Sequence, residues 1–112
     1  MTIKKTFTDE LQRIAPHMFK ALAVGDYMLS IQASSGHYCS PRKDSLMPHQ
    51  YEFFEMAIWR EGGKSRYMNA AQSSVFRAFP RWEELKQCQS SVVFGWVPED
   101  LINDLINYLK TK

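Results

Sequence analysis

Residues Tyr51 to Arg60 constrain this chain more than any other segment. Phe54, Met56 and Ile58 alternate with Phe53, Ala57 and Trp59, so both faces of a period-two run are apolar apart from Glu55. A strand of that kind loses free energy at a sheet edge or with one face in water. It predicts a central strand covered on two sides. Tyr27 to Ala33 has the same period: Tyr27, Leu29, Ile31 and Ala33 share one face, while Met28, Ser30, Gln32 and Ser34 share the other. That is a strand with one buried face. Glu61-Gly62-Gly63-Lys64 is a tight-turn signal after Arg60, so Ser65 to Asn69 is predicted to return as a short antiparallel strand. Val92 to Trp96 is a further compact β-prone run.

Two segments carry the helical period. From Thr6 or Thr8 to about Ala23, Phe7, Leu11, Ile14, Met18 and Leu22 recur every three or four residues, a threonine can cap the start, and Asp9 and Glu10 suit the positive end of the dipole. Pro16 falls inside this pattern and predicts a kink or a break into two short helices. At the other end Pro98, Glu99 and Asp100 open a helix whose stripe is Leu101, Ile102, Leu105, Ile106 and Leu109. Ser35 to Gln50 has no sustained period and reads as a long connection, a length that often serves function. Ala70 to Phe79 has a helical composition stopped by Pro80, and Arg81 to Gln87 reads as another short helical turn. The expected architecture is α+β: a small, mainly antiparallel sheet of three to four strands, with N- and C-terminal helices packed on one face, in a single domain over 1–112.

The composition suits that expectation. With 45% apolar and 23% charged residues in 112, the chain has the balance of an ordinary globular protein. No run approaches the ~20 apolar residues needed to cross a bilayer, and the first ten residues turn acidic where a signal peptide needs its apolar stretch. The expected location is the cytoplasm, with no membrane partner. A formal charge of +2 excludes a mimic of the DNA backbone, which needs a strongly acidic surface. The charge is uneven, however: Arg60, Lys64, Arg66, Arg77 and Arg81 face only Glu61 between positions 60 and 81, five cations against one acid, a local +4. Either this segment meets an acidic or anionic partner, or it is a solvated hairpin and loop.

Chemistry is thinly signalled. His37, Tyr38, Cys39 and Arg42 lie directly after a predicted strand, where a loop site would sit. In extended backbone positions i and i+2 point the same way, so His37 could hold Cys39 as a thiolate, although no third orienting group is indicated. The alternative is a structural turn, with Tyr38 packed, Cys39 a small buried filler and Arg42 paired with Glu52 or Glu55. Cys39 and Cys88 form no CxxC pair, and His17, His37 and His49 lack metal-ligand spacing, so neither metal nor cofactor is expected. Gly62-Gly63-Lys64 lacks the rest of a phosphate loop. Aromatic residues are numerous for so short a chain, and those beside arginine are typical interface anchors. The partner-binding candidates are therefore Trp59, Trp82, Arg60, Lys64, Arg66, Arg77 and Arg81. A rival reading sets the same basic residues and Tyr67, Phe76, Phe79 and Trp82 against a nucleic acid.

Asp26 to Ser34 running into His37-Tyr38-Cys39-Ser40-Pro41-Arg42, the strand from Tyr51-Glu52 to Ala57-Ile58-Trp59, and Val93-Phe94-Gly95-Trp96-Val97-Pro98 opening a helix together resemble small proteins encoded by phages and prophages. The resemblance covers residues 26–110 in patches. Proteins of this kind include the anti-defence inhibitors, of which anti-CRISPR proteins are the best known. The resemblance implies a cofactor-free, non-enzymatic inhibitor in the host bacterial cytoplasm. Its implied partner is a host protein or ribonucleoprotein complex such as a Cas protein, met by a monomer or a homodimer.

Overall fold

Strand β5 (Phe53–Arg60) lies at the centre of a five-stranded antiparallel sheet, hydrogen-bonded to β4 (Tyr27–Gln32) on one side and β7 (Val93–Pro98) on the other. The computed structural model describes residues 6–62 and 67–112. Edge strands β3 (Leu22–Val24) and β6 (Gln89–Ser90) complete the order β3-β4-β5-β7-β6. The sheet thus has five strands where the sequence predicts three to four. The additional pairings are edge pieces of two or three residues, too short to show a period of their own. Short edges also leave little unpaired backbone to recruit another chain.

Register puts the apolar sets together. Leu29 stands opposite Ile58 and Ile31 opposite Met56, while Phe54 and Met56 meet Val97 and Phe94 across the other seam; all are fully buried. Helix α3 (Glu99–Leu109) lays Leu101, Ile102, Leu105 and Leu109 into the same core, as its stripe predicts. Its first turn carries Glu99 and Asp100 at the positive end of the helix dipole. The segment between β5 and β6 forms a single turn at Ala70–Gln72 and two short helices, α1 (Ser74–Arg77) and α2 (Trp82–Gln87). Phe76 and Leu85 carry these into the core, where Phe76 meets the Tyr27 ring edge-on at 5.1 Å. Among the described residues no helix is long and apolar enough to cross a membrane.

The N-terminal helix is not formed. Phe7–Asp9 makes one 3₁₀ turn capped by Thr6, after which β1 (Arg13–Ala15) and β2 (Met18–Phe19) form a small separate hairpin around Pro16. Pro16 removes a helical donor and crowds the preceding turn, and here it ends the helical option rather than kinking it. Two members of the predicted stripe, Ile14 and Met18, are exposed, whereas Phe19, outside the stripe, is buried. Phe19 is held by the Gln32 side-chain amide, which accepts from its N–H at 2.7 Å and donates to its carbonyl at 2.8 Å. Continuing the β3–β4 register brings Phe19 opposite Gln32, so that amide stands in for the missing backbone ladder. A long-range contact of this kind outweighs local helical spacing.

The predicted return strand Ser65–Asn69 is not formed in the part of it that is described. Residues 65 and 66 lie outside the described residues, and Tyr67–Asn69 is irregular, joined to β5 by the Met68 N–H donating to the Ile58 carbonyl at 2.8 Å. Both long neighbours of β5 come instead from distant segments.

The β3–β4 turn is clamped to the far end of α3. Gly25 has φ +57, a Cβ there would collide with the Leu109 carbonyl and lie 2.8 Å from the Lys112 carbonyl, and the Asp26 N–H donates to the latter at 3.2 Å. Gly25→Ala therefore adds left-handed strain to a backbone collision. The expected cost is about 2 kcal/mol, a fall of about 10 °C in Tm on thermal melting. Gly62→Ala, at φ +80 but with no described residue within 4 Å of the added Cβ, is expected to cost about half of that.

Candidate functional site

The second face of the sheet is incompletely covered. Met28, Ser30 and Gln32 of β4 and Phe53, Glu55 and Trp59 of β5 are half-buried on it, where the apolar pattern of β5 predicts full cover. Only Ala57 among these β5 positions is buried. Two aromatic pairs mark the face: Trp59 with Tyr67, ring centroids 5.8 Å apart, and Tyr38 with Trp96 at 5.1 Å and 30°.

A bulge builds the second pair. Phe94 and Val97 are three residues apart, yet both point into the core, opposite Met56 and Phe54. Period-two backbone cannot do this, so β7 inserts an extra residue, and Gly95 and Trp96 together face the single residue Glu55. Trp96 takes φ +48 to close the bulge, and its N–H donates to the Tyr38 carbonyl at 2.9 Å. Gly95 makes room for this approach, since a Cβ there would lie 3.1 Å from the Tyr38 Cβ. Tyr38 and Trp96 remain 51% and 49% exposed, an aromatic wall in water. Beside it runs a groove of about 1020 Å³. Tyr38, Glu55, Cys88, Val93, Trp96 and Leu101 line it, with Glu84 contributing from α2. This is at the upper end of ligand-site volumes.

The loop residues singled out in the sequence take different positions. Cys39 is buried; its thiol donates to the Ser34 carbonyl at 3.2 Å, and burial pushes its pKa up against the smaller lowering effects of that bond and of Arg42. The His37 ring pairs through Nδ1 with Ser34 Oγ at 2.7 Å, and no hydrogen bond among the described residues joins it to the Cys39 thiol, whose partners are the Ser34 and Pro41 carbonyls. Tyr38 is not packed away but forms the groove wall, its N–H donating to a Glu55 carboxylate oxygen at 3.3 Å. Arg42 is exposed, and no ion pair among the described residues uses it.

Lys64 and Arg66 lie outside the described residues. Arg60 is exposed over the Tyr27 ring, and the exposed Arg77 donates to the Ala71 carbonyl at 3.0 Å. Arg81 is clamped by Glu84 through two bonds of 2.7 Å, by Asp104 at 2.7 Å and by Asp100 at 3.0 Å. The Glu84 and Asp104 bonds push the Arg81 pKa further up, and the Arg81 contact holds the Glu84 carboxyl below its ordinary value. One guanidinium among three carboxylates does not attract an anion. Trp82 is buried in the core at 7% exposure and is no surface anchor, whereas Trp59 stays half-buried under Tyr67. The groove residues not singled out as candidates in the sequence are Trp96 and Glu55. Gly95 inside a strand was the available signal, since glycine there marks a bulge. Comparison with family models, with curated proteins and with solved structures gives no match.

The two thiols differ in access. Cys88 is half-buried on the groove, with its pKa raised by burial and then by Glu84, whereas Cys39 is sealed. Native alkylation mapped by mass spectrometry is expected to modify Cys88 first. Both thiols should react more slowly at neutral pH than free cysteine and gain rate as pH rises, because only the thiolate reacts.

Proposed function

We propose that this chain is a binding protein of the phage-encoded inhibitor kind, which blocks a host defence system, most directly a CRISPR–Cas complex, by seating the open face of its sheet on a protein component. One observation carries the binding role: Trp96 is held half-exposed in a left-handed backbone position and stacked on an equally exposed Tyr38. A bulky residue at positive φ costs about 1 kcal/mol or more, and strain of this sort persists where it positions a side chain for use. Aromatic residues of this type, rigid and half-desolvated before contact, are the usual centres of binding energy in interfaces. The choice of a defence complex rests on the resemblance of residues 26–110 to phage and prophage proteins.

Capture from a nuclease-treated bacterial lysate tests the reading. The expected result is a stoichiometric protein partner from a defence complex, retained by the chain and lost with Trp96→Gly. That substitution is chosen because glycine adopts φ +48 freely, so its Tm should stay within a few degrees. Retention of nucleic acid alone, weakening steeply between low and physiological salt, overturns the reading in favour of a nucleic-acid module. A captured protein that belongs to no defence system overturns the inhibitor role and keeps the binding role.

A further inference from the structure

The groove under Trp96 has a sign of charge opposite to that of the chain as a whole. The protein carries a formal +2, yet among the described residues the groove lining includes Glu55 and Glu84 and no Lys, Arg or His. Glu84 is already neutralised, both of its oxygens being taken by Arg81. Glu55 is different. It stands opposite the Gly95–Trp96 bulge at the foot of the aromatic wall, half-buried, and among the described residues its carboxylate accepts one hydrogen bond, from the Tyr38 N–H. None of the ion pairs among the described residues uses it.

From this arrangement we infer that the groove receives an arginine side chain presented by a basic segment of the partner protein. A guanidinium is planar, weakly hydrated and able to stack on an aromatic face while its N–H fork meets a carboxylate. The groove offers both partners: the exposed Tyr38 and Trp96 rings as a wall, and the Glu55 carboxylate beside them. Glu84 and Arg81 show the same carboxylate–guanidinium clamp within the chain at the groove rim. A nucleic-acid strand fits poorly, since its phosphates would face Glu55 with no cation among the described lining residues. The inference rests on the reading of the chain as a binding protein, and it names the chemistry that the partner must present.

An acetylated and amidated Gly-Arg-Gly peptide is the probe, titrated into the protein while the Trp96 indole N–H and the Gly95 and Tyr38 amides are followed by NMR. Saturable shifts at these positions are expected, together with about tenfold weaker binding to Glu55→Gln, the size of one lost charge-assisted bond. Trp96→Gly, which removes the wall without burdening the backbone, should weaken binding likewise. The same peptide with citrulline in place of arginine should leave the groove resonances unmoved. Equal shifts from the citrulline peptide, no saturable shift, or shifts confined to the Trp59 end of the sheet each overturn the inference. The titration needs no host partner, so its failure leaves the binding role to be judged by capture alone. If instead the peptide binds but Glu55→Gln retains the captured protein undiminished, the groove is not that partner's seat, although the chain remains a binding protein.

Discussion

Every layer of this molecule depends on strand β5 being hydrogen-bonded along both sides. Its buried face, Phe54, Met56 and Ile58, is the floor on which α3 and the aromatic residues of the N-terminal and middle segments pack. Because both of its neighbours are distant in sequence, the floor exists only when residues 27–32, 53–60 and 93–98 have come together. Pairing of that range carries a loop-closure cost that burial of the three apolar rows must offset. The short helices and the edge strands add to a surface already made; none of them could form it.

The same strand explains why the site lies where it does. Chain available to cover the sheet is spent on one side, where α3 and residues 7–9 and 70–87 close the core, and little remains for the other. The second face of β5 is then left with Phe53, Glu55 and Trp59 half in water. The bulge in β7 follows from the core as well: turning both Phe94 and Val97 inward forces one extra residue outward, and that residue is Trp96. A packing demand on one side of the sheet thereby sets an aromatic wall on the other. Tyr38 completes the wall because the loop that carries it is tied at Ser40 to Phe53 and at Trp96 to its own carbonyl.

Much of this was legible along the chain. The period-two runs named β4 and β5, the β-prone run from Val92 to Trp96 marked β7, and the stripe of α3 appears as read, because these signals lie within short windows of the chain. The N-terminal stripe misled for a physical reason. Five apolar positions at helical spacing define an amphipathic face only while the backbone can be helical, and Pro16 together with the Gln32 clamp on Phe19 makes another conformation cheaper. The same limit applied to side chains: Trp82 and Trp96 are both aromatic residues near charged neighbours, and nothing local says that one enters the core while the other leaves it.

What the residues determined by themselves is therefore the set of strands that want a buried face, the α+β class, the C-terminal helix, and the uneven placement of charge. Those are properties of short windows, fixed by side-chain periodicity and by proline and glycine. Tertiary structure alone decided which face of β5 stays open, that Arg81 is neutralised by Glu84, Asp100 and Asp104, that His37 serves Ser34 rather than Cys39, and that Glu55 lies beneath an exposed Trp96. Each of these depends on segments brought together from far along the chain, and contact between such segments is set by the register of the sheet, which no local pattern encodes.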